Sequence, residues 1–320
     1  MTEESQFPLV TFALFAYNQE QYIREAVEAA LAQDYPNLEI VISDDASSDG
    51  TWEIIESLGS GYRGSHAIKL NKNQQNLGVT SHVNKVFSLS NGRLLVMAAG
   101  DDISAADRVS CLVEKWREKG FCIGLLHSAA QPIDEQGREI FQPMRGLASE
   151  LEAMTLRYFR ENRHRMLIHG ATAAYTRELF EAYGPLKDGG LVEDAVMTFR
   201  AVLSGRLLFV EEPLVRYRIS TTSISGAAYS VREPSKWLRW MAAQETKVRN
   251  HIADYQNDGA HPELEVIPEF LRDLEATADG FAAAKEMVAP SWLRRMVGVA
   301  RHPGLKSLRT KLSFARRFYA

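Results

Sequence analysis

The strongest constraint on how this chain can fold is an alternation of two periodicities in its first hundred residues. Short apolar runs of strand length at Leu9–Phe15, Leu38–Ser43, Ala67–Leu70 and Leu94–Ala99 are separated by Glu20–Gln33, Thr51–Leu58 and Val79–Leu89. In those separating segments the apolar residues recur at helical spacing. Continuously apolar strands need cover on both faces, and a helix between two of them supplies the crossover that parallel pairing requires. The pattern predicts an α/β chain with a doubly wound, mostly parallel sheet flanked by helices. Ligands of such sheets collect beyond the carboxyl ends of the strands.

The fourth run delivers Gly100-Asp101-Asp102 to that edge. Two carboxylates held about 4 Å apart repel by about 4 kcal/mol at an effective dielectric near 20, and a divalent cation removes that cost. Asp101 and Asp102 are therefore candidate metal ligands. The plainer reading is that one of them caps the helix that follows.

Beyond the acids the order loosens. Arg108–Lys119 reads as helix, Ile123–His127 as strand, and Ala129–Ile133 with Arg138–Phe141 as a hairpin around Asp134–Gly137. Glu150–Glu161 reads as helix, and Arg177–Tyr183 is a short helix stopped by Gly184-Pro185. Glu193-Asp194 open a helix ending at Ser204-Gly205, where acids suit the helix dipole. Leu207–Val210 and Leu214–Arg218 look like two closing strands. From Val231 onward no strand pattern recurs, and Ser235–Tyr255 and Pro268–Val288 read as helices. The expected division is an α/β domain over 1–228 and a helical region over 229–320.

Composition narrows the class. At 320 residues, 45% hydrophobic and 24% charged, the chain can bury a full core. It carries no apolar run of spanning length and begins with a polar, acidic stretch, so a cytoplasmic location is expected. Two cysteines form neither a disulfide framework nor a zinc pattern. The net charge of −4 argues against nucleic acid as a partner, but it hides an asymmetry. Ser291–Ala320 contains no acid and eight bases, with Leu305, Leu308, Leu312, Ala315 and Tyr319 on one helical face. Such a helix can lie on an anionic membrane surface, or it can pack on the catalytic domain or on a second subunit of a homo-oligomer.

Several enzyme classes lose support on spacing. The chain has no G-x-G-x-x-G after its first strand, no G-x-x-x-x-G-K-[ST], no H-E-x-x-H and no G-x-S-x-G. What it does have is Phe15-Ala16-Tyr17-Asn18, then Ser43-Asp44-Asp45-Ala46-Ser47-Ser48-Asp49-Gly50-Thr51, Asn76-Leu77-Gly78, Gly100-Asp101-Asp102 and Glu193-Asp194. Taken together, over roughly residues 8–225, these resemble the family 2 glycosyltransferases of the GT-A fold, which are inverting enzymes.

The resemblance implies a role for each position. Asp194 matches the catalytic base, and Glu193 precedes it as in the relatives. Asp44 matches the acid that accepts a hydrogen bond from the nucleobase, which favours a uridine or thymidine donor. Phe15, Ala16, Tyr17, Asn18 and Asn76 fall on the donor side. Asp101 matches the last acid of a D-x-D motif that binds Mg²⁺ or Mn²⁺. Ala99 stands where many members carry the first acid, so Asp102 either ligates as well or hydrogen-bonds the donor sugar. Arg218 matches a basic residue beside the leaving diphosphate, and Ser220 stands where relatives often have a histidine. His169 and Gly170 fall on the acceptor side, although an isolated histidine beside an apolar run also suits a structural role.

The function implied is transfer of a sugar from a nucleotide-diphosphate donor to a glycan or lipid-linked acceptor in surface polysaccharide synthesis. A non-catalytic binding or scaffold module with the same fold is the alternative. A nucleotidylyltransferase is a further one, but it would want a Gly-rich basic loop after the first strand.

Overall fold

The computed structural model describes residues 7–141, 168–188, 193–220, 234–256 and 268–287. The expected helix Glu150–Glu161 and the basic tail from Ser291 lie outside them. Eight strands form one sheet: β1 Val10–Ala16, β2 Leu38–Asp44, β3 Ala67–Lys72, β4 Leu94–Ala99, β5 Ile103–Ser104, β6 Leu125–Ile133, β7 Ala173–Thr176 and β8 Leu207–Arg218. Their spatial order is β3-β2-β1-β4-β7-β6-β8-β5. The half built from β3, β2, β1 and β4 is parallel, with α1 Ile23–Leu31, α2 Thr51–Gly61 and α3 Val79–Leu89 as crossovers. β7 then enters antiparallel between β4 and β6, while β6 and β8 run parallel.

Alternation along the central strands explains why they are apolar throughout. Phe12, Leu14, Ile40, Ile42, Leu94 and Val96 face one side, where α1, α2 and α4 (Arg108–Glu118) contribute Ile23, Val27, Ile55, Val109, Leu112 and Trp116. Ala13, Val41, Leu95 and Met97 face the other, against Val83, Val86 and Phe87 of α3, Leu179 of α5 (Arg177–Tyr183), and Val196 and Met197 of α6 (Glu193–Ser204). Each such aliphatic side chain stabilises the fold by about 1.5–3 kcal/mol on burial, so the sheet is held from both faces.

The C-terminal helices α7 (Pro234–Gln256) and α8 (Pro268–Met287) pack on each other, and α7 packs on α6. Phe199 and Leu203 of α6 meet Val248, Tyr255, Leu274 and Ala278 in a third, smaller cluster. A buried ion pair reinforces that seam, Arg200 Nε to Asp254 Oδ2 at 2.9 Å. Two expectations need correction. Ala129–Phe141 is not a hairpin of two strands: β6 continues to Ile133, and only an Ile133–Glu139 bridge follows the turn. The two closing strands are one: β8 is continuous, and Pro213 sits opposite Ala129 at a register shift in the pairing with β6, where a residue without an N–H is tolerated.

Candidate active site

The carboxyl ends of β1 and β4, the start of α6 and the segment before β7 surround one open cleft of about 1000 Å³, at the upper end of the range for small-molecule sites. Its donor-side wall is the loop after β1. Phe15 and Ala16 end the strand, and Tyr17 projects with 47% of its surface exposed. Asn18 takes a left-handed conformation (φ 51°), which asparagine tolerates better than most residues. Its Oδ1 accepts from Ser48 N at 2.8 Å, and its own N–H donates to Ser47 Oγ at 2.8 Å. The loops after β1 and β2 are thus tied together before any ligand arrives.

Asp44 departs from expectation. It is fully buried and does not line the cleft, and its carboxylate accepts from the N–H (3.0 Å) and the hydroxyl of Ser47. Asp44 is the last residue of β2, and the strand's period of two turns its side chain away from the face that Asp45 presents. Asp45 does reach the cleft wall, where it accepts from Leu77 N and Gly78 N at 2.9 Å and from Asn73 Nδ2 at 2.8 Å. That carboxylate shapes the loop carrying Asn76, which also lines the cleft.

Asp101 and Asp102 both line the cleft floor. Burial raises the Asp101 carboxyl above its ordinary range, against the pull of its hydrogen bonds and of Arg218. Burial, together with the Asp101 charge, raises Asp102 further. Asp102 Oδ1 accepts from Arg218 N at 2.7 Å, leaving its second oxygen for other partners. Gly100 allows the close approach of this turn to the first loop, since a Cβ there would lie 2.5 Å from Gln19 Oε1 and 3.2 Å from Phe15 O.

Arg218 is the second departure. It is buried and does not line the cleft. Its guanidinium donates to Glu25 Oε2 (2.6 Å), Asp101 O (2.8 Å), Asp134 O (3.1 Å) and Glu135 O (3.2 Å), and it stacks over Tyr22 at 4.5 Å. Along the strand, Tyr217 faces the cleft and its neighbour Arg218 the other side, while Ser220, beyond the strand end, reaches the cleft again. Arg218 therefore acts on the cleft through Asp101. A second guanidinium, Arg108 on α4, went unrecognised in the sequence. It is wholly buried, and its Nη2 joins Met97 O to Ala171 O at 2.8 Å each, bracing the acid turn against the 169–172 segment.

The opposite wall gathers His169, Gly170, Glu193 and Asp194. His169 packs on Tyr217 with ring centroids 5.0 Å apart. Gly170 sits against the acids: a Cβ there would stand 2.3 Å from Glu193 Oε1 and displace that carboxyl. Burial, then the charge of Asp194, pushes Glu193 up to about 8. Burial also raises Asp194, opposed by the Ala195 N–H, His169, the Gly170 N–H and Lys247. One wall of the cleft thus holds two neighbouring carboxyl groups of raised proton affinity. Beneath them lies the Tyr175 phenol, which burial and the two acids raise well above its usual value.

Among the described residues no cluster of three or more His, Cys, Asp or Glu forms a complete metal cage. The acid turn still fits a hard cation. It offers carboxylate oxygens at the cleft floor, and burial leaves the charge of both under-compensated.

Comparison with known proteins agrees with this geometry. The chain is 34% identical over 102 residues to the Escherichia coli enzyme WfaP, a UDP-Glc:α-D-GlcNAc-diphosphoundecaprenol β-1,3-glucosyltransferase. That match covers 32% of this chain and 39% of the relative, so it spans well under half of WfaP. In three dimensions the chain is similar to the Pyrobaculum calidifontis mannosyltransferase PcManGT solved with GDP-Man and Mn²⁺ (TM-score 0.58, 20% identity, 97% of this chain and 79% of that one). It is likewise similar to Staphylococcus aureus TarS 1-349 solved with UDP-GlcNAc (TM-score 0.55, 14% identity, 95% and 92%). At these identities the likeness establishes a shared GT-A fold. Residues 11–184, just over half of the chain, match the sequence pattern of the family, and the protein belongs to glycosyl transferase family 2.

Proposed function

We propose that this protein is an inverting glycosyltransferase that moves a sugar from a nucleotide-diphosphate donor to a hydroxyl of a glycan or lipid-linked acceptor. The observation that carries this reading is the placement of Asp101 and Asp194, far apart in sequence, on the floor and wall of a single cleft. In a direct displacement the acceptor oxygen forms a bond to the anomeric carbon as the bond to the donor phosphate breaks. The electron pair leaves with the nucleoside diphosphate, and the acceptor proton passes to a carboxylate. Asp194 suits that last task, since its raised proton affinity makes it a better base than an exposed aspartate. Glu193, protonated up to about pH 8, keeps a second negative charge away from it at neutral pH.

Asp101, with Asp102, would hold a Mg²⁺ or Mn²⁺, whose contribution when bound is to neutralise diphosphate charge. Tyr17 and the loop around it form the donor side. With Asp44 turned inward, support for a uridine donor comes from WfaP and TarS, whose substrate and ligand are UDP-sugars. WfaP also supports a diphosphoundecaprenol-linked acceptor, and with it work at a membrane face. No helix among the described residues is long and apolar enough to cross a membrane; the basic segment Ser291–Ala320 is our candidate for attachment to an anionic surface.

The test is release of nucleoside diphosphate by the full chain from UDP-glucose, UDP-GlcNAc and GDP-mannose, with Mn²⁺ or EDTA, with and without a GlcNAc-diphosphoundecaprenol acceptor. Cation-dependent UDP release from a UDP-sugar supports the reading. Binding with no release from any donor, acceptor present, would favour the non-catalytic alternative.

A further inference from the structure

With Asp44 turned inward, the β2 end of the cleft presents a different polar group, and it comes from α3. His82 lines the cleft beside Phe15, Val79 and Val83, with only 5% of its surface exposed. Its ring stands edge-on to Phe15, centroids 5.1 Å apart and planes at 80°. Sheet register fixes how far this group lies from the acid turn. Ser43, Phe15 and Ala99 stand abreast on β2, β1 and β4, and Ala99 leads into Gly100-Asp101. Two strand spacings, about 10 Å, separate Ser43 from Ala99. A nucleotide whose diphosphate lies at Asp101 therefore brings its base to the level of Ser43 and His82.

A chain of hydrogen bonds decides which ring nitrogen of His82 carries the proton. The Asp45 carboxylate can only accept, so Asn73 turns Nδ2 to it (2.8 Å) and leaves Oδ1 to accept from Asn71 Nδ2 (2.9 Å). The same Asn71 amide donates its other hydrogen to Ser43 Oγ at 2.9 Å. The Ser43 hydroxyl is fully buried, and its own hydrogen goes to His82 Nε2 at 2.7 Å. Nε2 is thus the acceptor, and Nδ1 bears the hydrogen. That N–H stands 4.0 Å from Asp45 Oδ2, beyond hydrogen-bond reach. Burial lowers the imidazole below its ordinary value, against the charges of Asp45 and Asp44, so the ring is neutral at pH 7.

We propose that His82 is a specificity-determining residue, its Nδ1–H donating to a keto oxygen of the donor's nucleobase. This rests on the nucleotide-donor reading of the cleft and is independent of the role of Asp194. Uracil O4 or guanine O6 accepts such a hydrogen, whereas the amino group of cytosine or adenine at the same place meets it donor to donor. Discrimination comes from the donor left unpaired as much as from the bond gained.

The experiment is calorimetry of the full chain with UDP, GDP and CDP in the presence of Mn²⁺, wild type beside His82→Leu and His82→Asn. Wild type should bind the better keto nucleotide at least about tenfold more tightly than CDP, and the UDP and GDP arms tell which keto base is read. His82→Leu should erase that preference by weakening the keto nucleotide while leaving CDP within about twofold. His82→Asn keeps an amide N–H where Nδ1 stands and should restore it. Equal wild-type affinity for CDP, a comparison that needs no variant to fold, would overturn the assignment, as would an equal loss of all three nucleotides in His82→Leu. Wild type that binds none of the three would defeat the nucleotide-donor reading itself, and this assignment with it.

Discussion

Two groups of aspartates, one at the end of β2 and one shared between the end of β4 and the start of α6, are set by their surroundings to different work. Asp44, Asp45 and Asp49, after β2, are met by backbone and side-chain donors: Ser47, Leu77, Gly78, Asn73, Thr51 and Glu20. For Asp49 these bonds outweigh burial and hold the carboxyl below its ordinary range. Asp101, Asp102 and Asp194 receive fewer such bonds for the burial they suffer, and all three are raised. A carboxylate whose lone pairs are filled by the fold is a structural element. One that is desolvated and left under-compensated beside an open cleft is available for a cation or a proton.

That contrast can be broken most sharply at Asp45. Replacing it with Ala strands the buried donors of Leu77, Gly78 and Asn73, and should lower unfolding stability by about 3 kcal/mol in denaturant titrations. A loss below about 0.5 kcal/mol would mean that the loop does not depend on it. Asp101→Ala should leave stability little changed. It should erase the gain in UDP affinity that Mn²⁺ gives over EDTA, a gain expected to be at least about tenfold by calorimetry; an undiminished gain would move the cation elsewhere.

Glu193 supplies a subtler test. Its folded-state value near 8 lies above that of the unfolded chain, so the folded state retains a proton the unfolded state has lost. The associated stability is complete below about pH 4.5 and is lost as pH rises through about 8. Wild type should therefore lose a few degrees of Tm relative to Glu193→Gln between pH 5 and 8. A constant gap would show that Glu193 titrates normally. The smallest effect belongs to Ala46, which holds a left-handed φ of 62° between the two bonded loops. Ala46→Gly should stabilise by about 1 kcal/mol, since glycine relieves the Cβ penalty.

Much of the architecture was legible because it is local. The helix predicted at Val79–Leu89 occupies those residues, and all four parallel strands lie within two residues of their apolar runs. The entry of β7 between β4 and β6 was not legible, since strand order is a long-range choice. The site was legible as a set of loops, but not always to the residue. At strand ends adjacent side chains point to opposite faces, so Asp44 and Arg218 turned inward while Asp45 and Tyr217 took the cleft.

The central claim is that the desolvated carboxylate of Asp194 accepts the proton of the incoming hydroxyl. The most direct measurement sets turnover of Asp194→Asn beside its affinity for UDP with Mn²⁺. Turnover should fall by at least about a hundredfold, the usual scale for loss of a general base, with Kd within about twofold of wild type. Turnover within a factor of about three of wild type would contradict it.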